Sequence, residues 1–209
     1  MNIKKTANLL LNFTIRRLAE IFGVLVSLTG GMLFLALITY SPNDPNFIFP
    51  ENTKIENLMG FQGSFISDLF FQSVGLMAYL MPFTLLITGV NILRTKDFFL
   101  IIENNFFMIL YLISGTLFFI EYYSDTDSLY IHGSSGFVGK YLSQTFLKSL
   151  ILINEQVFFY ILILNIFICF LLSINFSLIK FFIFIKKIFN FLIRKDNKNY
   201  TDKSEIISE

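Results

Sequence analysis

The chain has 209 residues, of which 55% are hydrophobic and 15% charged, and its mean hydropathy is +0.66. A soluble domain carries about 25% charged residues, so this composition excludes an ordinary soluble fold and indicates a membrane protein. The net charge of +1 indicates neither a nucleic-acid partner nor an acidic substrate, and the single cysteine, Cys169, excludes an internal disulfide and a multi-cysteine metal site.

Four apolar segments are long enough to cross a bilayer, whose hydrocarbon core of about 30 Å needs about 20 helical residues. The predicted spans are 21–40, 69–93, 98–120 and 156–179. The first is too long for a signal-peptide core and no small-residue cleavage site follows it, so we expect it to remain as an anchor. The third includes Glu103, which we expect to extend its carboxylate to the membrane face. The sequence therefore predicts an all-α membrane protein with four transmembrane helices.

The distribution of basic residues predicts the orientation of these spans. Thirteen of the 16 Lys and Arg residues lie in 1–20, 94–97 and 180–209, and only three lie in 41–68 and 121–155. Because the side rich in Lys and Arg is cytoplasmic, we expect both termini in the cytoplasm. The prediction is a cytoplasmic N-terminal segment over 1–20, outer loops over 41–68 and 121–155, and a cytoplasmic turn over 94–97.

Amphipathic helices are predicted outside the spans. The three- and four-residue spacing of apolar side chains at 55–67 and 136–153 predicts helices against the outer membrane face, the first leading directly into the second span. A basic amphipathic juxtamembrane helix is predicted over 180–194, on the anionic cytoplasmic leaflet. Its polar residues, Lys180, Lys186, Lys187, Asn190 and Arg194, fall within roughly half of the helical circumference, although Ile183, Phe184 and Phe191 lie among them. The polar residues 195–209 predict a tail or linker.

Small residues on one side of the first span predict a helix-packing site. Gly23, Ser27 and Gly31 recur every four residues, so they share one face of the helix. Such a face lets another backbone approach closely, either within the chain or from another copy in a homo-oligomer. Pro82, in the second span, removes one helix hydrogen bond and predicts a kink that serves packing.

The fourth span has a comparable stripe of small and polar residues, Asn165, Cys169 and Ser173. The Asn165 amide needs a hydrogen-bond partner inside a membrane, because an unpaired amide there is costly. We therefore expect an interhelical hydrogen bond rather than a substrate site at this stripe.

No residue pattern in the sequence indicates catalysis. The glycine-rich loop at 133–139 lacks the Lys-Ser/Thr pair of a phosphate-binding loop and lies on the predicted outer side. His132, the only histidine, has Asp125 and Asp127 nearby. These residues are compatible with either a solvated polar loop or a metal site. Transport and proton relay need ionisable groups within the membrane, and the centres of the spans have none. We expect no enzyme activity, no cofactor and no bound metal.

Two motifs carry a family resemblance. The first span is followed by Ser-Pro-x-Asp-Pro, and the second contains Gly-x-x-Ala-Tyr-Leu-x-Pro. Their residues are Ser41, Pro42, Asp44, Pro45, Gly75, Ala78, Tyr79 and Pro82. Together with weaker matches at 17–23, 57–63, 67–69 and 136–139, they resemble the N-terminal four-helix membrane region of the FtsK/SpoIIIE family of bacterial DNA translocases.

The resemblance implies a membrane-anchoring and septum-targeting module of the bacterial inner membrane. In that family the region contacts other cell-division proteins and tethers a hexameric ATPase that moves DNA during chromosome segregation. This sequence contains no phosphate-binding loop, motor or DNA-reading domain, so ATP hydrolysis and direct nucleic-acid binding carry over to no residue here. A piece of a longer translocase and a free-standing relative remain open, and a small multi-span transporter or channel of unknown substrate is the alternative function.

Overall fold

The computed structural model describes residues 3–45, 54–123, 133–151 and 153–193, and these residues form helices and connecting turns without a strand. The elements are α1 (Ile3–Ile38), α2 (Gly60–Val74), a 3-10 segment (Gly75–Leu80), α3 (Met81–Thr95), α4 (Leu100–Tyr122), α5 (Gly136–Ser143), α6 (Phe146–Ile151), α7 (Glu155–Ser173) and α8 (Leu178–Ile193). His132, Asp125 and Asp127 lie outside the described residues.

Four helical segments are long and apolar enough to cross a membrane. They are Asn8–Ile38, Gly60–Thr95, Leu100–Tyr122 and Glu155–Ser173. For the described part of the chain, this confirms the predicted all-α fold with four helical segments that could each cross a membrane. The chain divides into two compact units, Met1–Asn175 and Phe176–Glu209.

Helix α1 is much longer than its predicted span of 21–40. Its 36 residues, at 1.5 Å each, make a helix about 54 Å long, and residues 3–20 continue it without a break. The sequence allows this because no proline occurs before Pro42, and the residue preceding a proline disfavours the helical conformation. The helix accordingly ends at Ile38, just before Ser41 and Pro42.

The second apolar segment changes conformation between Gly75 and Leu80, where six residues form a 3-10 helix. Gly75 has a φ of 59°, which a residue with a side chain rarely adopts. The predicted kink at Pro82 is therefore displaced toward the N-terminus. Pro82 itself lies in the first turn of α3, where its missing N–H costs no helix hydrogen bond.

The fourth apolar segment ends earlier than the predicted boundary at 179. Helix α7 stops at Ser173, and Asn175 adopts a left-handed conformation with a φ of 49°. Asparagine tolerates this conformation better than most residues. The apolar run after Gln156 is consequently two helices, α7 and α8, because the backbone breaks between them.

The buried apolar core lies where α1, α2, the 3-10 segment, α3, α4 and α7 meet. Its members are Leu33, Leu37, Phe71, Met77, Ala78, Met81, Tyr111, Leu112 and Cys169. Many other large apolar side chains remain uncovered by the rest of the chain, as expected for helices whose outer faces contact lipid.

Candidate functional site

The connection between the first and second apolar segments folds onto the end of α1; with the turn at 133–135 and helix α5, we call this region the cap. It comprises residues 39–45, 54–74 and 133–143. Asp44 organises its first part. The backbone N–H of Asp44 donates to the Ser41 carbonyl at 3.2 Å, closing a turn with Pro42 at its second position. The Ser-Pro-x-Asp motif is therefore a turn that presents one carboxylate.

The Asp44 carboxylate is 1% exposed and binds two backbone amides. It accepts hydrogen bonds from the Glu56 N–H at 2.7 Å and from the Asn57 N–H at 2.9 Å. Hydrogen bonds to a charged acceptor are about twice as strong as neutral ones, and they satisfy amides that burial would leave without water. Asp44 thus fixes the segment that enters α2 against the segment that leaves α1.

Asn57 links the same segment to α1 directly. Its Nδ2 donates to the Ala36 carbonyl at 2.8 Å, and its Oδ1 accepts from the Met59 N–H at 3.0 Å. Ala36 belongs to the last turn of α1, whose carbonyls have no partner within the helix. The Asn57 side chain therefore caps α1 from a position 21 residues away.

Tyr40 and Asp68 form a second polar contact in the cap. The Tyr40 hydroxyl donates to Asp68 Oδ1 at 3.0 Å, and Gln72 Nε2 donates to Asp68 Oδ2 at 2.6 Å. Burial and the adjacent Asp68 carboxylate raise the pKa of Tyr40 above its ordinary value, so this hydroxyl keeps its proton at neutral pH. The Phe71 ring packs between the rings of Tyr40 and Tyr79, with centroid distances of 4.9 and 5.0 Å.

The turn before α5 contacts the second apolar segment at Gly75. The Leu76 N–H donates to the Ser134 carbonyl at 2.9 Å, so a backbone amide freed by the 3-10 conformation finds its partner in another part of the chain. A Cβ on Gly75 would collide with that carbonyl, and a Cβ on Gly136 would lie 2.6 Å from the backbone of Ser73 and Gly75. Only glycine fits this crossing at both positions.

Helices α1 and α3 approach each other through small residues, which we call the α1–α3 seam. A Cβ on Gly23 would lie 2.9 Å from the Gly89 carbonyl, and a Cβ on Gly30 would lie 2.7 Å from the Leu86 backbone nitrogen. Ser27 lies between them, and its hydroxyl donates to the Leu86 carbonyl at 3.5 Å.

The structure differs from the sequence prediction at one member of this stripe. It brings together Gly23, Ser27 and Gly30, whereas a Cβ on Gly31 would meet only a flexible leucine carbon at 3.9 Å. With 3.6 residues per turn, positions spaced by four and then three stay closer to one line than positions spaced by four twice. Gly31 therefore lies beside the seam.

The predicted stripe on α7 contacts two other helices. Asn165 Nδ2 donates to the Ser114 hydroxyl of α4 at 2.6 Å, and Asn165 Oδ1 accepts from Cys169 Sγ at 3.2 Å. The Ser173 hydroxyl is 3.0 Å from the Thr84 hydroxyl of α3. Thus every member of the stripe has a polar partner.

Further polar residues extend this set, and sequence reasoning missed them. The Thr84 hydroxyl also hydrogen bonds to the Tyr111 hydroxyl at 3.1 Å, and Asn104 Nδ2 donates to the Thr88 hydroxyl at 2.8 Å. The sequence marks each of them only as a polar residue within an apolar span. Single hydroxyls are common in such spans, and they can donate to a backbone carbonyl of their own helix. Nothing in the sequence showed which ones would face each other.

A charged cluster joins α1 to the turn between α3 and α4. The Glu20 carboxylate lies 2.6 Å from the Arg17 guanidinium and 2.9 Å from Lys96 Nζ. Lys96 occupies a left-handed position with a φ of 61° after α3, and its Nζ also donates to the Leu93 carbonyl. A cation at the end of a helix is favourable for its exposed carbonyls.

The contacts at these sites are hydrogen bonds, an ion-pair cluster and close helix packing within the chain. Among the described residues, no group of three His, Cys, Asp or Glu side chains is arranged to hold a metal. Two grooves of about 380 Å³ each are predominantly apolar, and neither lining includes a charged side chain. One is lined by residues of the 3-10 segment, α4 and α7, and the other by residues of α1, α2 and α3 together with Met59. These surfaces suit lipid chains or apolar helices.

The eight motif residues noted in the sequence lie mainly in the cap and at the break in the second apolar segment, and a family comparison covers the surrounding chain. The family whose sequence pattern matches residues 15–186 is the 4TM region of DNA translocase FtsK/SpoIIIE. The chain belongs to this family. FtsK/SpoIIIE membership confirms the resemblance seen in the motifs, and with the four apolar helices it supports a multi-pass protein of the bacterial inner membrane.

Individual relatives match shorter stretches. The chain is 37% identical over 83 residues to DNA translocase FtsK of Vibrio vulnificus (strain CMCP6), which covers 39% of this chain and 8% of the relative. It is 34% identical over 79 residues to DNA translocase FtsK of Caulobacter vibrioides, and this aligned stretch makes up 38% of this chain and 10% of the relative. The matched part is thus about a tenth of each FtsK. No solved structure matches the chain.

Proposed function

We propose that the chain is the membrane-anchoring and septum-targeting module of a DNA translocase system that acts in cell division and chromosome segregation. The observation that carries this proposal is the family match over residues 15–186. In this function the four helices hold the chain in the inner membrane with both termini in the cytoplasm. The cap faces the outer side, where other division proteins are reachable.

The geometry of the cap supports this role over transport. The hydrogen bonds of Asp44 and Asn57 hold a connecting segment as a defined surface on the end of the bundle. Helices α2 and α5 leave large apolar side chains exposed, including Phe61, Phe137 and Tyr141. Such side chains suit the membrane interface or an apolar partner helix. A transporter would instead need a polar path through the membrane. The two grooves described above are predominantly apolar, and a more polar groove that includes Glu155 lies at the ends of α4 and α7.

The second apolar segment fits an interfacial position of α2. The 3-10 segment and α3 together contain 21 residues, which at 2.0 and 1.5 Å per residue extend about 34 Å. These two elements are long enough to cross the hydrocarbon core by themselves. We therefore place α2 and α5 against the outer face of the bilayer.

Septal localisation tests the proposal. A fluorescent protein fused to the N-terminus of the chain should concentrate at the division site of growing bacteria. A matched fusion carrying only residues 1–45 should distribute around the cell envelope, because it lacks the other three spans and most of the cap. Uniform envelope fluorescence of the full-chain fusion, at an expression level where the protein is intact, would contradict septum targeting.

A further inference from the structure

Helix α8 has one apolar face and one basic face. Phe182, Ile185 and Phe189 follow each other at intervals of three and four residues, so they share one side of the helix. They are 66, 44 and 61% exposed. With 3.6 residues per turn, Lys187 lies on the opposite side and Asn190 lies about 100° around the helix from Phe189, and both are exposed. This arrangement is typical of helices that lie in the plane of a membrane surface.

Charge indicates what covers this helix. Between Gln156 and Lys195 the sequence contains no Asp or Glu, whereas 178–193 alone contains Lys180, Lys186 and Lys187. An acid-free basic helix repels a second copy of itself and attracts an anionic surface. Lysine also has the flexible stem that lets its ammonium reach the headgroups while the stem stays among apolar groups.

Chain continuity places such a surface within reach. The linker 174–177 separates the last residue of α7, a helix apolar and long enough to cross a membrane, from the first residue of α8. At about 3.5 Å per residue, this linker allows α8 to begin no more than roughly 18 Å from the end of α7. Asn175, which lies between the two helices, has a left-handed backbone conformation.

We propose that α8 binds the anionic lipids of the adjacent leaflet, with Phe182, Ile185 and Phe189 among the acyl chains and Lys186 and Lys187 at the phosphate groups. The phosphate-bearing headgroup is the ligand, and the lysines supply the selectivity for it. This inference does not depend on the septal role, because it rests on the pattern and charge of α8 and on the apolar helix α7 that precedes it.

The test uses the full chain in vesicles, with Cys169→Ser and one new cysteine carrying an environment-sensitive fluorophore. The cysteine is Phe189→Cys on the apolar face or Asn190→Cys on the polar face. Vesicles contain phosphatidylcholine with or without phosphatidylglycerol, and lipids carrying a nitroxide on the acyl chain serve as quenchers. We expect strong quenching at 189, weaker quenching at 190, and a loss of the difference when phosphatidylglycerol is omitted or salt is raised.

Charge-matched variants identify the lysines responsible. Each lysine near an anionic surface strengthens association by roughly a factor of five, so Lys186→Gln with Lys187→Gln should weaken it by about 30-fold. In phosphatidylglycerol vesicles this double variant should resemble the wild type in pure phosphatidylcholine. The control pair, Lys140→Gln with Lys148→Gln, removes the same charge elsewhere and should change nothing.

Three results would overturn the proposal. Equal quenching at 189 and 190 would show that the apolar face does not enter the acyl region. A probe at 189 that is shielded from water but not quenched by nitroxide lipids would show that protein, from this chain or a second copy, covers the face. Identical quenching in both vesicle types would show membrane contact without recognition of anionic lipid.

Discussion

At the scale of single residues, Asp44 makes a testable contribution to stability. Replacing Asp44 by Ala removes the acceptor of the Glu56 and Asn57 amides, which would remain in a buried site. A buried group left without its partner costs about 1–3 kcal/mol. We expect the variant to unfold in detergent at a temperature several degrees below the wild type, measured by intrinsic fluorescence or circular dichroism.

The control for this variant is Glu56→Ala. Glu56 is another acid of the same connecting segment, and its side chain is exposed. The Glu56→Ala substitution therefore removes one carboxylate without changing the Asp44 contacts. Its unfolding temperature should lie within about a degree of the wild-type value. Equal stability of the Asp44 variant and this control would contradict the role assigned to the buried carboxylate.

The sequence identified Asp44 but not its partners. The Ser-Pro-x-Asp-Pro motif marked the position, because such a spacing is specific. Glu56 and Asn57 contribute backbone amides to this contact, and no residue type signals where a backbone amide will be needed. The Asn57 side chain, which caps α1 as well, resembles any polar loop residue until the loop has folded.

At the scale of helices, the α1–α3 seam predicts that alanine substitutions at two adjacent glycines have opposite effects on stability. Gly30→Ala would place a methyl group 2.7 Å from the Leu86 backbone nitrogen, so we expect a loss on the order of 1–3 kcal/mol from overpacking. Gly31→Ala meets one flexible side chain at 3.9 Å and gains helix propensity of up to about 1 kcal/mol. It should therefore be neutral or stabilising.

Thermal unfolding of the two alanine variants in the same detergent measures this difference. The two substitutions add the same methyl group to neighbouring positions of one helix, so each controls for the other. If Gly31→Ala proved the more damaging, the seam would lie on the face that the sequence spacing predicted, and another copy of the chain would be its partner.

The helices themselves were easier to predict than their ends. The uncharged runs predicted four spans because a bilayer imposes a minimum apolar length. The sequence predicted a kink in the second span and a division of the last apolar run, but it placed them at Pro82 and after 179 rather than at Gly75 and Asn175, since a single glycine or asparagine inside an apolar run is compatible with a continuous helix. Each break depends on backbone conformation, and the Gly75 break also depends on a contact with Ser134, which is distant in sequence.

At the scale of the whole molecule, the orientation of the chain in the membrane is open to direct test. The basic residues predict that Lys54 lies outside and Thr95 inside. In a Cys169→Ser background, we expect a cysteine at 54 to react in permeabilised-envelope cells with a thiol reagent that cannot cross the inner membrane. A cysteine at 95 should react only after that membrane is disrupted.

Lys140→Cys is a second outside position for the same assay. It lies in α5, so agreement between 54 and 140 would place both parts of the cap on one side. Labelling of 95 in intact inner membranes, with protection of 54 and 140, would reverse the proposed orientation. The Glu20–Lys96 contact would then belong to the outer face.

The sequence described the whole molecule as four spans but not their arrangement. The composition of a segment determines whether it enters the membrane. Which helices pack against each other depends instead on where small and polar residues meet. The contact between Glu20 and Lys96 joins residues far apart in sequence, and either charge alone is an ordinary membrane-edge residue. The contact between Thr84 and Ser173 could not be predicted for the same reason, because their hydroxyls come together only when α3 packs against α7.

The crossing of Gly75 with the turn at 133–136 has a consequence for how this chain can vary during evolution. A side chain on Gly75 would occupy the space of the Ser134 carbonyl, and one on Gly136 would occupy the backbone of Ser73. Neither collision can be relieved by a change of rotamer, because the obstructing atoms are backbone. The two glycines should therefore persist together in related sequences, or be lost together in those whose second span runs unbroken.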